Sequence, residues 1–272
     1  MKLQYLMLLL SVLFLGCQKN EDGKVYPSRS LTTNEDFNQF EKGNEKSLTV
    51  YKYEDKNEEG AAQSNEAFGI KFKDTTVRIQ NVLSEKGEPV SRFSVAEFLN
   101  TQKTALLVQA ADSSGLVAPF YLVSIKNGQL DVVRLYRSSK GKEDDRFTKG
   151  LSRIGRSGYL INNDFFITTV NAKVYPLTRQ NPDERIQGLH FMNSTDKKTL
   201  VFLVSSSLYQ VNYPTGEAFT QPLGTQIPKR PTELFQWIQQ NYSWQTNAKG
   251  VSFLKSNKDD NRVIDISEFK KS

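Results

Sequence analysis

The chain predicts a mainly β protein. Repeated antiparallel β-hairpins form a propeller-like or β-sandwich body, with one or two short helices. Three observations carry this expectation. Three stretches share a Tyr-x-aliphatic pair ahead of a turn. Each follows a short, strongly apolar run. Aromatic residues are plentiful, with 17 Phe and 11 Tyr in 272 residues, enough for a full core.

The three stretches are Phe120–Val133, Val174–Ile186 and Leu208–Phe219. Their tyrosines, Tyr121, Tyr175 and Tyr209, are each followed two residues later by Val123, Leu177 or Val211. That spacing sets each pair on one face of a strand. The turns that follow are Asn127-Gly128, Asn181-Pro182-Asp183 and Pro214-Thr215-Gly216. Asn-Gly is the strongest short hairpin signal, and Pro-Thr-Gly suits a longer turn. The preceding apolar strands are Ala105–Gln109, Phe165–Val170 and Leu200–Val204. Tyrosine-to-tyrosine intervals of 54 and 34 residues make the repeat irregular.

Upstream, Phe68–Ile79 alternates as a fainter hairpin. Downstream, Val251–Leu254 and Arg262–Ile266 form a final hairpin candidate around a polar turn. Two segments read as helices. Ser94–Gln102 has a capping residue and apolar positions at helical spacing. The second is expected near 232–242, with Thr232 as cap and Leu234, Trp237 and Ile238 on one stripe.

A strand-strand-turn-strand unit of about 40–45 residues matches the length of a propeller blade. The third stretch, with its Lys-Thr-Leu-Val-Phe approach and Thr-Gly-Glu turn, resembles a blade of bacterial β-propellers.

The N-terminus directs the chain elsewhere. Lys2 precedes Leu3–Leu15, which is almost wholly apolar. That run fits a signal-peptide core and falls short of the ~20 residues of a membrane-spanning helix. It ends Phe14-Leu15-Gly16-Cys17, and Cys17 is the single cysteine. This junction resembles the lipobox of bacterial lipoproteins, which prefers Leu where Phe14 stands and a small residue where Leu15 stands. The resemblance implies cleavage before Cys17 and a diacylglycerol on its sulfur. The following Gln18-Lys19-Asn20-Glu21-Asp22 is similar to the tract that sends lipoproteins of Bacteroidota to the outer face of the outer membrane. The expected organisation is a signal peptide at 1–16, a lipidated cysteine and flexible tether at 17–47, and one β-rich domain at 48–272. The tether expectation rests on a composition of Asn, Glu, Lys, Ser and Thr that buries little surface. Extended, it would hold the domain up to about 100 Å from the lipid.

Lipidation consumes the thiol and leaves the mature chain no disulfide and no cysteine nucleophile. Cleavage removes Lys2, lowering the formal charge from +6 to +5. So modest a charge on an exported chain argues against nucleic acid. No G-x-S-x-G elbow, phosphate-binding glycine loop, zinc cluster or calcium loop is present. No cofactor and no metal are therefore expected. Asp112-Ser113-Ser114-Gly115 reads as a turn, and His190, the single histidine, is expected at a strand edge. Paired carboxylates of a glycosidase would have to come from distant positions. Asp112, Asp131, Asp164 and Asp183 lie near strand ends, and nothing ranks one pair above another, so catalytic residues are unassigned.

Two surface features remain. Arg134–Arg156 holds eight basic residues against Glu143, Asp144 and Asp145. Arg137, Arg146, Arg153 and Arg156 are expected to share a face that attracts an anionic partner. Trp244 is the second candidate, stacking on a sugar or anchoring a protein. The leading expectation is a lipid-anchored envelope protein that binds a protein, including a toxin, or a glycan, without catalysis. The alternatives are a hydrolase of polysaccharide or cell wall and a structural subunit of an outer-membrane assembly.

Overall fold

The computed structural model describes residues 23–38, 48–53, 67–81, 86–111, 119–137, 150–223, 227–228 and 230–258. The fold is mainly β and propeller-like, as the sequence predicts. Its repeating unit is a four-stranded antiparallel meander in chain order. The first is β8 (Phe93–Phe98), β9 (Ala105–Ala110), β10 (Phe120–Lys126) and β11 (Gln129–Leu135). The second is β12 (Leu151–Ile154), β13 (Gly158–Ile161), β14 (Phe165–Thr168) and β15 (Lys173–Pro176). The third is β16 (Leu189–Asn193), β17 (Thr199–Val204), β18 (Ser207–Asn212) and β19 (Glu217–Pro222).

The meanders pack face to face, which explains their uninterrupted apolar runs. A strand buried on both faces has no polar side to present. Along β9 and β10, Ala105, Leu107, Phe120 and Leu122 pack against Ile161, Phe165, Ile167 and Val174 of the second meander. The alternating residues Leu106, Val108, Tyr121 and Val123 enter a separate core on the other side. Leu160 and Phe166 in turn meet Leu200, Phe202, Tyr209 and Val211 of the third meander. Its far face, carrying Val201 and Leu208, is covered by helix α1 (Pro231–Asn241) and the hairpin of β20 (Tyr242–Thr246) and β21 (Ser252–Ser256).

The first meander extends into a ten-stranded curled sheet through β4 (Thr49–Tyr53), β5 (Ala67–Phe72), β6 (Thr75–Gln80) and β7 (Pro89–Val90). The β5–β6 hairpin is the faint one expected over 68–79. Its turn residues Lys73 and Asp74 have φ of 51° and 65°, the positive values that a tight two-residue turn requires. Asn127 and Gly128 do the same for β10–β11, at 51° and 67°.

Three expectations are corrected. Ser94–Gln102 is not a helix; its first part is β8. Phe98 pairs with Leu106 and Ala96 with Val108, so ladder bonds to β9 outweigh an ambiguous local pattern. The second repeat is not a hairpin. Tyr175 is in β15, which pairs with β14, while 177–188 leads away to the third sheet. Arg230, rather than Thr232, is the N-cap of α1, and its side chain makes no capping bond. Of the final hairpin candidate, Ser252–Leu254 is in β21, which pairs with β20, and Arg262–Ile266 lies outside the described residues.

The expected tether of 17–47 is also shorter than composition suggests. Within it, β1 (Lys24–Tyr26) adds in parallel to β6, and β2 (Arg29–Ser30) adds to β11. Then β3 (Glu35–Asp36) pairs with β15 of the second meander. The segment has too few apolar residues for a core of its own. It instead lends Tyr26, Leu31 and Phe37 singly to cores made by others. Its backbone completes open sheet edges. Arg29 fastens the strap, reaching Glu35 at 2.8 and 2.6 Å and Asp131 at 2.8 and 2.7 Å.

Candidate functional site

The structure disperses the basic stretch. Arg137 leaves β11 and turns inward over the Phe165 ring, where both terminal nitrogens donate to the Leu177 carbonyl at 3.2 Å. Arg153 lies on β12 and is 69% exposed. It donates to both Glu97 oxygens, at 3.0 and 2.9 Å, and rests over the Tyr159 ring. Tyr159 donates to the same carboxylate. Arg156 is exposed in the β12–β13 turn, at the opposite end of this sheet from Phe165. Arg146 and Cys17 lie outside the described residues. Arg137, turned inward at the Phe165 end of this sheet, is therefore set apart from Arg156 at the other end.

Arg137 instead joins a buried group that sequence spacing did not reveal. Asp164, 1% exposed, sits at the β13–β14 turn against Arg179 and near Arg185, whose side chains are 2% and 3% exposed. Arg185 also donates to the Arg137 carbonyl and stacks on Tyr136. Burial holds the Arg137 guanidinium below its ordinary value, and the neighbouring Arg185 adds to that. The Tyr209 hydroxyl donates to the Thr178 carbonyl at 2.7 Å, and burial raises its phenol. This cluster ties the loop after β15 to the second and third sheets. It lies in the interior, so its chemistry is that of a charge-paired strut.

The other catalytic candidates have structural surroundings. His190 is half-buried on β16, edge-on to Phe202 at 5.9 Å, and burial lowers its basicity. Asp131 is held by Arg29. Asp183 is exposed in a loop, and Asp112 lies outside the described residues. Among the described residues, no three His, Cys, Asp or Glu side chains gather for a metal ion. Trp244 is half-buried on β20 against the cluster of Leu234, Ile238 and Leu254, so much of its ring serves packing.

The surface that sequence reasoning missed is the outer face of the first sheet. Strand alternation sends Val50, Phe68, Ile70, Val77 and Ile79 into the core. It turns Tyr51, Tyr53, Lys71, Thr76 and Arg78 outward. Neighbouring registers align them: Val25 beside Arg78, Thr76 opposite Lys71, and Tyr51 opposite Gly69. Tyr51 covers Gly69 so closely that a Cβ there would come 2.2 Å from the ring. Lys71 lies 5.3 Å from the Tyr51 ring centre, the two tyrosine rings are 5.3 Å apart, and Arg92 lies 4.9 Å from Tyr53. The result is a row of cation, ring, ring and cation, with Val25 46% exposed at the margin. An alternation of Tyr and Lys at 51–53 and Lys71 was a legible signal. Their union required the β4–β5 register.

No family model matches the chain, and neither a curated protein nor a solved structure matches it. Among the described residues, no helix is long and apolar enough to cross a membrane.

Proposed function

We propose that the protein is a lipid-anchored protein of the bacterial envelope that acts as a non-catalytic binding module for a protein or glycan partner. The lipobox-like junction at Cys17 supports the location. The observation that supports binding over catalysis is that two of the four candidate acids, Asp131 and Asp164, are engaged by arginines, as is Glu97. Asp164 is buried among arginines, Asp131 bridges to Arg29, and Glu97 holds Arg153 and Tyr159. A glycosidase needs two carboxylates facing a substrate-sized space, one of them free to carry a proton.

Growth with an alkyne fatty acid tests the anchor. The parent chain should take the label and float with membranes, while Cys17→Ala should do neither. Incubation of the purified lipidated protein with envelope polysaccharides tests the rest. Release of new reducing ends would replace this reading with the hydrolase one.

A further inference from the structure

The distance between the anchor and the fold constrains how the domain stands. Only residues 18–22 separate Cys17 from Gly23, where the described chain begins and leads directly into β1. Six residue steps reach at most about 20 Å. The strand at the end of that reach is the margin of the outer face of the first sheet. Gly23 lies against the Arg78 side chain, which a Cβ there would meet at 2.9 Å. On this face the side chains closest to the tether are those of Thr76, Arg78 and Val25, followed across β5 and β4 by Lys71, Tyr51 and Tyr53, with Arg92 beyond.

We infer that this outer face docks on the phosphate-bearing headgroups of the bilayer that holds the anchor. The inference rests on lipidation at Cys17. Three properties fit it. The charged side chains that β4, β5, β6 and Arg92 contribute to this part of the face are the cations Lys71, Arg78 and Arg92, and Glu97, farther along the same face on β8, is held by Arg153 and Tyr159. An anionic headgroup layer attracts basic side chains within a screening length of its surface. Tyr51 and Tyr53 have an apolar ring and a polar hydroxyl, the combination that settles at a membrane–water boundary. Val25 adds an exposed apolar contact at the point where the chain arrives. The acidic residues of 54–66, which follow Tyr53 in sequence, lie outside the described residues. A short tether also raises the effective concentration of this face at the surface, so a weak contact suffices.

The test uses the full lipidated protein inserted by its acyl chains into vesicles. One set contains phosphatidylcholine alone, and the other has phosphatidylglycerol added. Lysines are acetylated briefly and read by mass spectrometry, with exposed Lys197 in the third sheet's β16–β17 turn as the reference. On anionic vesicles, Lys71 labelling should fall at least several-fold relative to Lys197. It should recover in 1 M salt, where screening shortens to about 3 Å. Arg78→Glu with Arg92→Glu should restore it without salt, while flotation with the vesicles persists. Equal Lys71 labelling on both vesicle types, in a chain that floats with both, would overturn the membrane face alone. A chain that fails to float with phosphatidylcholine vesicles would overturn the lipidation beneath it. Protection of Lys71 by a soluble polyuronate without vesicles would reassign the face to a glycan and overturn the proposal.

Discussion

The side-chain amide of Gln210 pairs with the backbone of Leu254 as a neighbouring strand would. Its Oε1 accepts from the Leu254 N–H at 2.8 Å, and its Nε2 donates to the Leu254 carbonyl at 2.9 Å. Nearby, the Thr199 hydroxyl donates to the Ser252 carbonyl at 2.6 Å. Side chains of β17 and β18 thereby satisfy the edge of β21, and the last hairpin docks on the third sheet.

Gln210→Leu keeps the volume near native and removes both bonds. Two buried backbone groups then lack their partner, each costing about 1–3 kcal/mol. The urea midpoint should fall by the equivalent of about 2–4 kcal/mol. Amide exchange should quicken in 242–256 before it does in β9 and β10. Unchanged exchange in the hairpin would show that it docks through apolar contact alone.

Asp164→Asn should be among the most damaging conservative changes. It leaves Arg179 and Arg185 buried without their carboxylate, a loss of about 3–5 kcal/mol for breaking a buried pair. Thermal unfolding reports it. A variant as stable as the parent would show that the arginines are neutralised by other groups.

Alkaline titration should show a stability change tied to Tyr159. Its phenol is pushed up to about 12, first by burial and then by the Glu97 carboxylate. The folded chain therefore keeps a proton that the unfolded chain releases near 10.0. This contribution is intact below pH 10 and is lost as pH rises toward 12. Tyr159→Phe should lose less stability over that window in urea titrations. Some slope will persist, because burial also raises Tyr26, Tyr209 and Tyr213.

Gly69→Ala tests how the outer face is built. The added methyl occupies the place of the Tyr51 ring. Displacing that ring should cost about 1–3 kcal/mol, as overpacking does. Gly69→Ala combined with Tyr51→Ala should recover part of that cost, read by the same denaturant titration.

The sequence by itself determined what is local or periodic. Apolar runs such as Phe120–Val123 and Leu200–Leu203 specify strands covered on both faces, and Asn127-Gly128 and Pro214–Gly216 specify turns by backbone conformation. Leu234, Trp237 and Ile238 mark the buried stripe of α1. The tertiary structure alone decided what depends on partners far along the chain. Phe93–Phe98 is a strand because β9 offers it a ladder, and residues 23–38 form the short strands β1, β2 and β3 because open sheet edges and core gaps accept them. The same holds for function. Arg137 and Arg156 belong to one basic stretch yet lie at opposite ends of the second sheet, while Lys71 and Arg78 share a face with Tyr51 and Tyr53 through pairing of β4, β5 and β6, and Arg92 joins them over Tyr53. Side-chain period encodes which residues are buried; it does not encode which strand will lie beside them, because that choice is made by packing and hydrogen bonds summed over the whole fold.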